Sequence, residues 1–263
     1  MFGNLTPVVK NLLIINIVML AVQELLGFDF VTMFGLRYLF AETFAPYQFV
    51  THLFVHGGWL HLFSNMFALF IFGPLLERMW GSQRFLFYYL FTGLGASALY
   101  MAVDYYEVNQ MEAAAEQVIE APSPDRFSGF VMQHAEFAYP QLQRFIDRYY
   151  DDPNNASLIS QSKSNVEQLI YLEENKPLVG ASGAIFGILI AFGMLFPNTE
   201  LFLLFFPFPI KAKYFVLFYG LYELWTGFQR APGDNVAHFA HLGGMLFGFI
   251  LIKLWKDKRS TFY

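Results

Sequence analysis

The sequence predicts an all-α polytopic membrane protein: a bundle of six transmembrane helices with a large extramembrane insertion between the third and fourth. Three observations predict it. The chain of 263 residues is 56% hydrophobic and only 14% charged, whereas an average soluble domain is about 25% charged. Apolar stretches of spanning length recur, and each crossing needs about 20 such residues. Among them lies one segment that is polar, acidic and too long for an ordinary loop.

The spans fall at about 11–28, 61–77, 84–103, 181–197, 213–229 and 236–254. The first resembles a signal peptide only superficially. Its basic region offers Lys10 alone and it has no small-residue cleavage site, so it reads as a retained span. Six crossings put both termini on one side. Arg78, Arg84, Lys211, Lys213, Lys253, Lys256, Lys258 and Arg259 all fall on that side, which the positive-inside rule assigns to the cytoplasm. The opposite side carries chiefly Arg37 and Arg230.

The chain thus divides into residues 1–103 with spans one to three, an insertion at 104–178, and residues 179–263 with spans four to six and a short tail. In the insertion Glu112, Glu116 and Glu120 recur at helical spacing. FVMQHAEFAYPQLQRFIDRYY is amphipathic, and DDPNNAS reads as a turn. The expectation is a partly helical element on the outer side, whose plainest role is a solvated spacer. The chain has no cysteine, which excludes disulfides and thiolate chemistry. It has no basic stripe to suggest nucleic acid. An absence of cysteine and a compact core fit a bacterial inner membrane.

Polar side chains inside spans are costly, so each is a functional candidate. Three clusters qualify: HGGWLHLFSN with His56, His61 and Asn65; GASG with Gly180 and Ser182; and AHFAHLGGMLFG with His238 and His241. Spans two, four and six all begin on the outer side, so His61, Asn65, Ser182 and His241 share one depth. Gly183 and Gly187 form a GxxxG pair on span four, and Gly244 and Gly248 form another on span six. Such pairs let helix backbones approach closely in lipid.

If those faces meet, a serine and an imidazole come within proton-transfer reach. Serine is a poor nucleophile until a base takes its proton, and histidine titrates near neutrality. No carboxylate lies near His241 in sequence, since Asp234 belongs to the preceding loop. The expectation is a Ser–His dyad rather than a triad. A tetrahedral oxyanion would find donors in the N–H groups that open span four, in the Asn65 amide, and in His61 on the same face. Each cluster also has a plainer reading: GASG as helix packing, the histidines and Asn65 as hydrogen-bonding glue.

Taken together, GASG, HLFSN and AHLGGMLFG resemble the rhomboid family of intramembrane serine proteases, over roughly 8–103 and 178–255. The resemblance implies a six-helix rhomboid bundle. Ser182 would be the nucleophile and His241 the base, with His61 and Asn65 around the oxyanion. His241, rather than His238, matches the AH-x-x-G context of the family's base. The resemblance also places Phe186 against that base, a charged structural cluster at Glu77 and Arg78, and His52 and His56 where they would help hydrate the site. Substrates would be transmembrane proteins, cut in or beside their spans without a cofactor or metal. They would enter laterally near spans two and five, with span five, YFVLFYGLYELWTGF, as the wall of the gate, under a cap loop at about 229–236 with Gly233 giving it freedom.

Two departures stand out. Tyr47 and Gln48 replace a Trp-Arg pair common in the first outer loop, and the insertion has no counterpart in compact members. Two other readings remain. One is a catalytically inactive rhomboid-like protein that binds membrane clients. The other is a metal site at His52, His56 and His61, although no HExxH is present.

Overall fold

A computed structural model describes residues 5–202, 208–229 and 236–256. The expected cap loop, with Arg230, Gly233 and Asp234, therefore lies almost wholly outside the described residues, as do Lys258 and Arg259 of the tail.

The first helix, α1 (Pro7–Leu26), starts at a proline, whose missing N–H costs nothing at that position, and ends at Gly27 in the left-handed region (φ 70°). Its first turn is capped from another helix. The Glu77 carboxylate accepts hydrogen bonds from the backbone N–H groups of Val8 and Val9, each at 3.0 Å. The loop that follows carries two short helices, α2 (Phe30–Phe34) and α3 (Gln48–Thr51), and a 3-10 turn at His52–Phe54. Gln48, buried, organises that loop. Its Oε1 accepts from the N–H groups of Arg37 and Ala45, and its Nε2 donates to the carbonyl of Thr43.

After α4 (Trp59–Trp80), Gly81 turns the chain into α5 (Ser82–Glu120), a single helix of 39 residues. The sequence boundary at residue 103 marks a change of polarity and not the end of a helix. No glycine or proline occurs between Gly95 and Pro122, and good helix formers such as Ala113, Ala114, Ala115 and Glu116 continue the run.

The amphipathic stretch that follows is two helices, α6 (Pro124–His134) and α7 (Tyr139–Asp151). Ser123 caps the first through its side chain. Asn155 caps α8 (Ala156–Glu174), with Oδ1 accepting from the N–H groups of Ser157 and Leu158. These helices fold onto the C-terminal half of α5. Phe127, Tyr149 and Val166 are fully buried against Met111, Ala115 and Val118. A solvated spacer would have no such core. The segment is a small helical unit with a hydrophobic interior.

Leu178 then pairs with Leu36 in an isolated antiparallel bridge, which returns the chain to the bundle. The remaining elements are α9 (Ser182–Leu195), a two-residue ribbon of β1 (Glu200–Leu201) and β2 (Ile210–Lys211), α10 (Ala212–Gln229) and α11 (His238–Lys256). Each of the six apolar segments read from the sequence holds a helix. Four of these, α1, α4, α5 and α11, are long and apolar enough to cross a membrane. At 14 residues α9 is shorter, about 21 Å at 1.5 Å per residue. It packs against α4, α5, α10 and α11, so protein rather than lipid surrounds it. Large apolar side chains such as Leu60 (82% exposed) and Phe228 (72% exposed) point outward from α4 and α10, as a lipid-facing surface requires.

Candidate active site

The site is built on helix crossings that only glycine permits. A Cβ on Gly244 of α11 would strike the carbonyl oxygen of Gly183 on α9, and one on Gly183 would strike Ala96 of α5. Four residues on, a Cβ on Gly187 would meet Thr92, and one on Gly248 would meet Tyr88 and Ile190. The Tyr88 hydroxyl donates to the Gly187 carbonyl at 2.7 Å. Thus α9 lies in a slot between α5 and α11, with Ser182 half-buried at its mouth.

The approach to Ser182 is fixed from the other side. Gly180 has φ 118°, and its N–H donates to the His52 carbonyl at 2.9 Å. A Cβ there would lie 2.6 Å from the His61 imidazole. The His61 ring therefore sits against the backbone two residues before the serine. Asn65, buried one turn along α4, donates from Nδ2 to the His61 carbonyl at 3.1 Å, which uses one of that amide's two N–H groups. His56 packs edge-on to His61 with ring centroids 5.0 Å apart. His52 is engaged through both ring nitrogens, Nδ1 at 2.7 Å from the Gln48 carbonyl and Nε2 at 2.9 Å from Ser97 Oγ. That leaves no lone pair for a metal shared with His56 and His61. The residue before α9, Ala181, offers no side-chain cap, so the N–H groups of the first turn are not occupied by one.

His241 lies one turn into α11 and is buried. Phe186, one turn beyond Ser182, stacks on its imidazole with centroids 4.1 Å apart and planes 10° from parallel. Phe186 also packs on Tyr219 of α10. The expectation of no carboxylate beside His241 is corrected. Glu223 of α10, 2% exposed, places Oε2 2.8 Å from His241 Nδ1 and 2.6 Å from His238 Nδ1. Thr226 Oγ1 lies 3.0 Å from His238 Nδ1. Ligand atoms of Glu223, His238 and His241 lie within 4.8 Å of one another, a donor set a divalent cation can also use; direct hydrogen bonds join them here.

Of the residues singled out in the sequence, the fold brings His61, Gly180, Gly183, Phe186, His241 and Gly244 around the entrance of α9. Asn65 joins through the His61 carbonyl, and Gly248 supports the crossing a turn deeper. The sequence reading missed Glu223. A charge inside an aromatic span was the available signal.

A family model described as the Rhomboid domain matches residues 43–110 and 156–257, more than half of the chain. The chain belongs to the rhomboid family. It is an all-α, multi-pass integral membrane protein of that fold. The family match breaks off between 110 and 156, the stretch that holds the end of α5 with α6 and α7. The chain is 50% identical over 60 residues to the chloroplastic rhomboid-like protein 11 of Arabidopsis thaliana, covering 23% of this chain and 21% of that protein. It is 40% identical over 48 residues to the rhomboid YdcA of Bacillus subtilis, covering 18% and 24%. A mitochondrial rhomboid protein of Schizosaccharomyces pombe is 28% identical over 221 residues, covering 81% of this chain and 52% of that protein. The chain thus spans between about a fifth and a half of the length of these curated relatives. Two are organellar and one bacterial, so they give no support for a bacterial inner membrane in particular.

Proposed function

We propose that this rhomboid protein is an intramembrane serine endopeptidase that hydrolyses peptide bonds in or beside transmembrane segments. The observation that carries this reading is the flat stack of Phe186 on His241. It sets an imidazole against the helix that Ser182 opens, one turn beyond the serine.

In this reading Ser182 Oγ attacks the scissile carbonyl carbon while His241 takes its proton. The negative charge that develops on the carbonyl oxygen is met by N–H groups at the start of α9 near Gly183, by the Asn65 amide and by His61, with Gly180 keeping the approach open. His241 then gives its proton to the leaving amine, and water hydrolyses the acyl-enzyme by the same steps in reverse roles. Substrates are single-span membrane proteins presented from the bilayer beside α10, and both chain termini face the cytoplasm. No cofactor or metal enters the scheme.

Labelling with a fluorophosphonate in detergent or liposomes tests it. Wild-type protein is expected to be labelled at Ser182, with labelling lost in Ser182→Ala and His241→Ala. Client capture without labelling or cleavage would instead favour a catalytically inactive, client-binding rhomboid-like protein.

A further inference from the structure

Glu223 is a carboxylate inside an otherwise apolar, aromatic helix. A buried charge is expensive unless it is hydrogen-bonded or paired, and two imidazoles contact this one. A single oxygen, Oε2, lies at hydrogen-bond distance from Nδ1 of both His241 and His238. An ionised carboxylate only accepts. Each ring must therefore carry its proton on Nδ1 to make these bonds. For neutral His241 that leaves the lone pair on Nε2, the nitrogen a serine proton would need.

Several features hold Glu223 at this point. Gly227, one turn along α10, lies so close to α11 that a Cβ would reach His238 Cβ at 3.1 Å. Thr226 Oγ1, which contacts His238 Nδ1, is tied to the Tyr222 carbonyl at 2.8 Å. The His241 ring is thus fixed at its edge by Glu223 and over its face by Phe186. The function proposed above uses neither Glu223 nor His238.

We propose that Glu223 is a positioning residue for the base. Its buried oxygen, braced by His238, holds His241 as the Nδ1–H tautomer and steadies the imidazolium formed when Ser182 gives up its proton. The proton moves from Ser182 Oγ to His241 Nε2, and Glu223 stays ionised throughout. This deepens the protease reading and rests on it: a rhomboid dyad becomes, in this chain, a Ser–His–Glu array completed from α10.

Fluorophosphonate kinetics on the full chain in liposomes supply the test, because they need no identified substrate. In Glu223→Gln the maximal inactivation rate is expected to fall on the order of 10²-fold or more, with the half-saturating probe concentration unchanged. Glu223→Asp should recover part of the rate. His238→Gln, which loosens the brace without removing the acceptor, should cost only a few-fold. Ring ¹⁵N shifts of His241 in wild-type protein should report the Nδ1–H tautomer. A wild-type inactivation rate in Glu223→Gln would overturn the proposal, as would an Nε2–H ring in the wild type or labelling that requires an added divalent metal. The ring shifts decide the matter even where Glu223→Gln fails to fold. Failure of the protease reading looks different: wild-type protein is then unlabelled, whichever tautomer His241 shows.

Discussion

Gly180 carries two constraints at once. Its φ of 118° is a conformation that side-chain-bearing residues rarely adopt, and its missing Cβ makes room for the His61 ring. Gly180→Ala is therefore expected to leave the bundle folded, by circular dichroism, yet to slow fluorophosphonate labelling of Ser182 at least tenfold, about 1.4 kcal/mol at the transition state. Asn65→Ala should lower turnover by roughly 10²–10³, the usual cost of one lost oxyanion donor. A cleavage assay against any accepted transmembrane substrate checks it, and an unchanged rate would remove Asn65 from the site. Ser182, His61, Asn65 and His241 stood out in the sequence as candidates because polar groups in apolar spans are conspicuous and span order suggests their depth. Glu223 stands out by the same rule. It escaped notice because its partner lies 18 positions away on another helix, where no periodicity links the two. The His238–His241 spacing of one turn was the fainter clue that two imidazoles face one acceptor.

At the scale of single elements, the bundle depends on backbone meeting backbone. Gly244→Ala places a methyl group into the Gly183 carbonyl, and that oxygen cannot move without breaking into α9. Loss of both folded yield and labelling is expected, visible as a lower midpoint of thermal unfolding in detergent. Glu77→Ala acts differently. It strands the N–H groups of Val8 and Val9 and should cost roughly 1–3 kcal/mol of stability, with labelling intact below the new midpoint. The Glu174 carboxyl, at the end of α8, is raised by partial burial and by the nearby Glu112 and Glu42. A carboxyl raised in the folded state contributes stability below its ordinary range that is lost as pH rises through the raised value. Amide exchange at the end of α8, corrected for its intrinsic rate, should accordingly speed up from acid to neutral pH, and Glu174→Gln should blunt that change. The positions of the helices were readable from hydropathy. The continuity of α5 beyond residue 103 was not, because hydropathy reports where lipid ends, while helix termination depends on glycine, proline and caps.

Among the described residues, the two largest hydrophobic cores share one helix. The core of the bundle and the core under α6, α7 and α8 have α5 in common but no buried residue in common. Phe127→Ala empties a fully buried ring site and should cost about 3–5 kcal/mol locally. Limited proteolysis is expected to open α6 and α7 in that variant while Ser182 still reacts with the probe. Loss of labelling would mean that the insertion helps to shape the site. The sequence offered amphipathic stretches and a turn here. It could not tell whether their apolar faces met one another, since that depends on three-dimensional packing among four helices.

The bonds from Glu223 to α11 have one more consequence. In the proposed scheme α10 is the wall that a substrate passes from the bilayer, and the same helix holds the base in its working orientation. A displacement of α10 that widens the lateral entrance must either carry His238 and His241 with it or break two buried hydrogen bonds. Admission and readiness are then thermodynamically linked. An open wall would leave the base misaligned, and its return behind a seated substrate would restore the alignment.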